Sequence, residues 1–342
     1  MKGARAGRAS DPERSPSLTP LRLDLLGNPF GPSLRVLDAL ASRDDLHLPH
    51  EAEVEHLRAR LAAMHAVPET WITPGFGIED LVFASLRLAA GPAVMFPPTD
   101  TNQCRAAALA GAEIVTCARA NALALEVDPT RFAVPRDAVA LVMSPNDPSG
   151  AILIAQDAVR IARACAVLVV DERHAAYSPR TLLPLVREFE NIVVLRTFET
   201  WAGLGGFPIA YAIAPPKLAA ALRERRFHTT IAASAVVAAH ATLDDLSCVN
   251  ASVERIRAEK ARLYRTLRKL NMIQPFPSWA NFLLARIERG DPDMFVAELC
   301  ARGISVHRPT FPELADCIRI SALSLEATTA LKIALIEIAA TL

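Results

Sequence analysis

Side chains that could carry acid–base chemistry follow three separate apolar runs of this 342-residue chain. Asp171 and His174 come after one run, Glu199 and Thr200 after a second, and Asp147 lies in a turn after a third. If the three runs are neighbouring parallel strands, their carboxyl ends open onto one crevice. Clustered carboxylates with an imidazole could transfer protons or hold a divalent cation there. Their spacing matches no metal-ligand motif, so we predict no metal site.

Arg319 is the candidate for binding a ligand's negative charge, because a guanidinium can hold a carboxylate through two parallel hydrogen bonds. Each of these residues also has a purely structural interpretation. Arg319 could serve in an ion pair within the protein, Asp171 could cap a turn or pair with a nearby cation, and His174 could be a hydrogen-bonded core residue. The sequence leaves both interpretations open.

The composition is typical of a soluble globular protein and argues against several classes of partner. Apolar residues make up 51% of the chain, charged residues 22%, and the formal net charge is zero. Nothing in this balance favours nucleic acid or an anionic membrane as a partner. No apolar run reaches the roughly 18 residues that a membrane span needs. The six cysteines show no metal-ligand or redox spacing, so we expect reduced thiols in a cytoplasmic protein.

Alternating apolar strands and amphipathic helices predict a doubly wound, mostly parallel α/β sheet, with ligand sites at the carboxyl ends of its strands. Residues 1–20 are polar, lack the apolar core of a secretory leader and are expected to be disordered. The rest is predicted to comprise an N-terminal arm (21–45), a large α/β domain (46–248) and a smaller α+β C-terminal domain (249–342).

Two helices carry further predictions. A helix is expected to begin after Ser33, a capping residue type, with Leu34, Leu37 and Leu40 on one face. A long charged helix is predicted over Ser252–Leu270, with Lys260 on its exposed face.

The stretch RTFETWAGLGGFPIAY, residues 196–211, resembles the signature RTFSKAFGLAGLRLGY of histidinol-phosphate aminotransferases, a branch of the fold-type-I pyridoxal-phosphate aminotransferases. Further blocks follow the family's order, among them LRLDLLGNPFGPS, GFGIED, PPTDTNQ, SPNDPSG, VVDERHAAY and CIRISAL. The resemblance covers roughly residues 21–340 and implies the family's fold. The fifth residue of the signature is the lysine that forms a Schiff base with the cofactor. Here that residue is Thr200, whose hydroxyl cannot form an imine.

Most positions that hold the cofactor in the family carry other residue types here. By resemblance, the positions that bind the cofactor's phosphate are Ile78, Glu199, Pro208 and, from the neighbouring subunit, Leu48. The position that stacks on the cofactor's ring is Gln103, and the position that faces its phenolic oxygen is Asp147. His174 stands where the family has a tyrosine. The resemblance also implies three retained residues. Asp171 is the acid for the pyridinium nitrogen, Arg319 is the arginine for the substrate's α-carboxylate, and Asn28 is a substrate-binding residue of the N-terminal arm.

The resemblance therefore implies a family member that has lost the lysine and the phosphate cup. We predict that it carries no pyridoxal phosphate and that it binds a small amino acid or carboxylate as a homodimer. The candidates for catalysis are Asp171, His174, Glu199 and Thr200, although the sequence does not decide whether the chain is an enzyme. Two alternatives stay open: a transaminase or amino-acid decarboxylase that uses pyridoxal phosphate non-covalently, and a non-catalytic subunit that pairs with an active relative.

Overall fold

The computed structural model of this chain describes residues 20–340 except 118, 120, 122 and 125–133. The predicted disordered tail, residues 1–20, lies outside this part of the chain apart from Pro20. Helices and strands alternate along most of the described residues. The strands are β1 (Leu21–Arg22), β2 (Ile72–Gly75), β3 (Ala93–Met95), β4 (Ile114–Thr116), β5 (Val139–Met143), β6 (Val167–Asp171), β7 (Ile192–Thr197), β8 (Ala210–Ile213), β9 (Ile273–Pro275), β10 (Phe282–Ile287), β11 (Ile304–Ser305) and β12 (Cys317–Ser321). The α-helices are α1 (Leu34–Ala41), α2 (Glu51–His65), α3 (Gly77–Ser85), α4 (Thr101–Leu109), α5 (Ala155–Ala164), α6 (Pro216–Arg225), α7 (Ala233–Asp244), α8 (Leu246–Leu267), α9 (Pro292–Ala301) and α10 (Leu325–Ala339).

The central sheet has seven strands in the order β2-β8-β7-β6-β5-β3-β4. The strands from β7 to β4 in this order run parallel, and β8 is antiparallel to both of its neighbours. Every residue of β5 and β6 is buried, as expected for parallel strands covered on both faces. Leu168 and Val170 belong to one apolar cluster, while Val167 and Val169 belong to another. Because alternate strand residues point to opposite faces, these two clusters lie on opposite sides of the sheet. The predicted doubly wound α/β fold is confirmed.

The C-terminal part builds a second core around an antiparallel sheet in the order β12-β10-β9. Ile256 of α8, Leu299 of α9 and Leu331 of α10 are buried in this core. Helix α8 passes without a break across the predicted boundary between residues 248 and 249, and the division into domains stays a prediction.

The N-terminal arm joins the C-terminal part through β1, which pairs with β11 in parallel. The apolar face predicted for α1 is mostly exposed to solvent. Leu34 and Leu37 are 77% and 48% exposed, while Val36 is completely buried and shares a core with α7. Ser33 precedes the helix but makes no side-chain capping hydrogen bond. Periodicity shows which side chains share a face, but it does not show which face the rest of the chain covers.

No helix within the described residues is both long enough and apolar enough to cross a membrane.

Candidate functional site

A cavity of about 370 Å³ lies between the N-terminal arm, the carboxyl ends of the parallel strands and the C-terminal sheet. Its charged lining residues are Asp24, Asp100, Asp147, Arg173 and Arg319. The position agrees with the rule that ligands of open α/β sheets bind beyond the carboxyl ends of the strands.

Asp171 ends β6 and is completely buried. Groups of the chain itself occupy both of its carboxylate oxygens. Arg173 donates from Nη2 to Oδ2 at 2.7 Å and from Nε to Oδ1 and Oδ2 at 3.2 and 3.0 Å, and its backbone N–H donates to Oδ1 at 3.1 Å. Gln103 Nε2 donates to Oδ2 at 3.0 Å. The buried carboxylate is therefore neutralised by a cation only two residues along the chain.

Two further carboxylates hold the Arg173 guanidinium. Its Nη1 lies 3.1 Å from Asp100 Oδ2 and 3.3 Å from Glu79 Oε1. Burial disfavours the charged guanidinium, but Asp171, Asp100 and Glu79 outweigh burial and raise the pKa of Arg173. Burial also raises the pKa of Asp100. Arg173 is absent from the residues predicted from the sequence, although an arginine two residues after a strand-ending aspartate is a usable signal for such a pair.

Glu199 places its carboxylate at the amino end of α3. A Cβ atom added to Gly77, the first residue of α3, would lie 3.3 Å from Glu199 Oε1 and 3.3 Å from Pro208 Cβ. The backbone N–H of Ile78 favours the charged form of the Glu199 carboxyl and opposes the rise of its pKa, while Glu199 Oε1 is buried without a hydrogen-bond partner among the described residues. Helix amino ends attract anions through their free N–H groups and dipole, so the carboxylate lies at an anion-binding position. Burial, followed by repulsion from Glu79, raises the pKa of Glu199 to about 7.

Thr200 links the loop after β7 to the segment after β6. Its Oγ1 donates a 2.5 Å hydrogen bond to the backbone oxygen of Arg173, and its backbone oxygen accepts a 3.0 Å hydrogen bond from the Tyr177 hydroxyl. The hydroxyl is therefore engaged in a loop contact.

His174 is completely buried, and neither ring nitrogen has a hydrogen-bond partner among the described residues. Its ring packs edge-on against Phe282, with 5.5 Å between ring centroids. Burial lowers the pKa of His174 to about 4, although Asp147 opposes the shift. The imidazole is therefore neutral at neutral pH, and it is not among the residues that line the cavity.

Arg319 on β12 pairs with Asp147 in the turn after β5. Its Nη1 donates to Asp147 Oδ2, and its Nη2 donates to the backbone oxygen of Asp24 at 2.7 Å. Arg319 and Asp147 are only 5% and 6% exposed. The pair connects the C-terminal sheet, the central sheet and the N-terminal arm. A ligand carboxylate that binds the Arg319 guanidinium must therefore compete with Asp147.

The other predicted positions have structural contacts. Asn28 Nδ2 donates to the backbone oxygen of Trp201 at 2.8 Å and to Ser252 Oγ at 2.7 Å, which fixes the N-terminal arm. Ile78 is buried among apolar side chains. Leu48 is 51% exposed. The structure thus brings Asp147, Asp171, His174, Glu199, Arg319 and Gln103 together around Arg173, and it uses Asn28 elsewhere.

No described lysine lines this cavity. The prediction that Lys260 is exposed is wrong. Lys260 is half-buried, and its Nζ donates to the backbone oxygens of Ser278 and Ala280 at 2.7 and 2.6 Å, because α8 packs beneath that loop. Burial lowers the pKa of Lys260 to about 8. Within the described ranges, no group of three or more His, Cys, Asp or Glu side chains could hold a metal ion.

Comparison with known proteins gives consistent matches over most of the chain. The sequence model of the family described as Aminotransferase class I and II matches residues 35–334. The histidinol-phosphate aminotransferase of Roseiflexus castenholzii is 36% identical over an alignment of 315 residues, and the match covers 88% of this chain and 85% of that protein.

Solved structures of similar shape give the same result. The crystal structure of histidinol-phosphate aminotransferase from Sinorhizobium meliloti in complex with pyridoxal-5′-phosphate superposes with a TM-score of 0.83 and 26% identity, covering 94% of this chain and 91% of that one. The histidinol-phosphate aminotransferase from Clostridium acetobutylicum has a TM-score of 0.84 at 18% identity, covering 94% and 100% of the two chains, and shows a shared fold.

Proposed function

This chain belongs to the class I and II aminotransferase family, and we propose that it is a member that binds no pyridoxal phosphate and takes a small amino acid or carboxylate beside Arg319. The relative from Sinorhizobium meliloti is a complex with pyridoxal-5′-phosphate. A site for this cofactor needs an amine for its reacting carbon, donors for its phosphate and an acid for its ring nitrogen. Only the acid, Asp171, has a chemically matching residue here.

The contact between Arg173 and Asp171 carries the proposal. Both oxygens of Asp171 accept hydrogen bonds from Arg173, and Gln103 adds another. A pyridinium nitrogen and a guanidinium are both cationic donors, so they compete for the same buried carboxylate. The guanidinium is held in place by Asp100 and Glu79 as well, which favours it in that competition.

The anion position at the start of α3 supports the same conclusion. Glu199 lies there, and a carboxylate about 4 Å from a phosphate charge costs roughly 4 kcal/mol at an effective dielectric constant of about 20. Because the pKa of Glu199 is raised to about 7, protonation relieves this cost near neutral pH, and the cost grows by about 1.4 kcal/mol per pH unit above that value. Thr200 offers no amine. The residues present therefore do not fit pyridoxal phosphate.

The cavity suits a small polar ligand. Its volume of about 370 Å³ lies within the range of small-molecule sites, and Arg319 at its wall is a carboxylate-binding side chain.

Titration of the purified protein with pyridoxal phosphate, followed by desalting and measurement of cofactor absorbance, tests the proposal. We expect the wild-type protein to retain none. The variant Thr200→Lys supplies an amine but leaves Arg173 and Glu199 in place, so it should also retain little. The triple variant Arg173→Ala, Glu199→Ser, Thr200→Lys removes both competitors and should retain more. Stoichiometric retention by the wild-type protein would overturn the proposal.

We also propose that the chain forms a homodimer. Leu34 and Leu37 on α1 and Leu48 after it are large apolar side chains exposed to solvent. Leu34 and Leu37 are three residues apart and therefore share one face of α1, and contiguous exposed apolar side chains are typical of a surface that another chain covers.

A further inference from the structure

The ion pair between Arg319 and Asp147 forms part of the cavity wall. Both side chains are more than nine-tenths buried. Arg319 donates to Asp147 and to the backbone oxygen of Asp24, while its Nε has no partner among the described residues. A ligand that reaches the Arg319 guanidinium must therefore compete with the Asp147 carboxylate, which is already paired with it.

Displacement of Asp147 leaves a second charge to satisfy. A ligand with only a carboxylate would pair with Arg319 and leave Asp147 buried without a counter-ion. A ligand with only an amine would pair with Asp147 and leave Arg319 in the same position. An unpaired buried charge is strongly unfavourable. An α-amino acid carries both charges on one carbon, so its carboxylate and its ammonium group can each take one partner of the broken pair.

The Arg319–Asp147 pair has an aromatic ring and an imidazole near it. The Phe282 ring centroid lies 5.4 Å from the Arg319 guanidinium carbon and 5.5 Å from the centroid of the His174 ring. His174 also lies within electrostatic range of both Asp147 and Arg319. His174 is thus part of the buried surroundings of the ion pair, although it does not line the cavity.

We propose that the crevice selects zwitterionic α-amino acids and that Asp147 is the residue that determines this selection, by receiving the ammonium group when the ligand's carboxylate takes Arg319. The inference rests on the proposed function, because it assumes that a small ligand binds beside Arg319. It narrows the ligand class, since it excludes 2-oxo acids, other monocarboxylates and simple amines.

The test is a thermal-shift screen of the wild-type protein with the protein amino acids, followed by calorimetric titration. Each amino acid that stabilises the protein is compared with its 2-oxo acid and with its decarboxylated amine. We expect both analogues to bind about 100-fold more weakly or worse, because each leaves one buried charge unpaired. Equal binding of the 2-oxo acid, or no binding by any amino acid, would overturn the inference.

The variant Asp147→Asn isolates the proposed role. Without the carboxylate, the variant should bind the 2-oxo acid as tightly as the amino acid or more tightly. Asp157→Asn is a matched control, because Asp157 is also 6% exposed and pairs with Arg160 on α5, outside the cavity. The control should keep the wild-type preference. If Asp147→Asn keeps it too, Asp147 does not select the ligand. Circular dichroism confirms that both variants fold. Cofactor retention is measured separately, so failure of this inference is distinguishable from failure of the proposed loss of pyridoxal phosphate.

Discussion

Replacing Arg173 by methionine should destabilise the protein far more than the loss of an ordinary surface arginine. Asp171 is completely buried, and the Arg173 side chain is only 10% exposed. In the variant, Asp171 keeps the hydrogen bonds from Gln103 and from the backbone N–H of residue 173 but loses its only contacting cation among the described residues. Removing one partner of a buried pair costs about 3–5 kcal/mol. Methionine keeps much of the side-chain volume, so little of this cost comes from a cavity.

Urea denaturation followed by circular dichroism measures the free energy of unfolding. Arg160→Met is the matched control. Arg160 pairs with Asp157 at 3.1 Å, but its side chain is 52% exposed, and exposed pairs contribute about 0–1 kcal/mol. We therefore expect the control to lie within about 1 kcal/mol of the wild type.

The double variant Asp171→Asn, Arg173→Met separates the charge from the packing. It removes both charges, so it should be more stable than Arg173→Met alone, and the double-mutant cycle should give a coupling free energy of about 0.5–3 kcal/mol or more. The reasoning is refuted if Arg173→Met costs no more than Arg160→Met. It is refuted equally if the two substitutions at the pair are additive.

Two further predictions concern Glu199 and the exposed leucines. The pKa of Glu199 is raised to about 7 in the folded protein. Below the ordinary pKa of a glutamate, this carboxyl does not reduce the free energy of unfolding. Between that value and pH 7, it reduces the free energy of unfolding by an increasing amount. Glu199→Gln should therefore stabilise the protein by on the order of 3 kcal/mol above pH 7 and by little near pH 4. Urea denaturation at several pH values measures this difference, and its absence would contradict the assigned pKa. Leu34→Glu on α1 should convert the proposed dimer to a monomer, as measured by light scattering. Leu109→Glu is the control, since Leu109 is a leucine on α4 that is 70% exposed, and it should leave the dimer intact. A monomeric wild-type protein would exclude the dimer.

The sheet was predictable because its central strands are continuous apolar runs in the sequence. Each residue of β5 and β6 is buried, so local composition alone marks both strands. The burial of α1 was not predictable in the same way. Leu34 and Leu37 form a regular apolar face, yet the core is reached through Val36. Lys260 is similar, since its partners Ser278 and Ala280 belong to a distant loop.

The candidate site was predictable by position and much less so by contact. Asp147, Asp171 and Glu199 were identified as acids at strand ends. The sequence could not show that Arg319 pairs with Asp147, because 172 residues separate them. The contact between Arg173 and Asp171 spans only two residues and could have been proposed, but a two-residue separation does not tell which way a long side chain folds back.

Three charge-binding positions of the crevice have one physical feature in common. Asp171 has Arg173 as its cation, the amino end of α3 has Glu199 as its anion, and Arg319 has Asp147. In each case, a group that could bind a charged part of a ligand is already paired with an oppositely charged side chain of the protein. Such a crevice needs no bound cofactor to compensate its buried charges, so the fold can persist without one. For the same reason, we expect that an amine at position 200 alone would not create a cofactor site, because the competing side chains occupy the charged positions that remain.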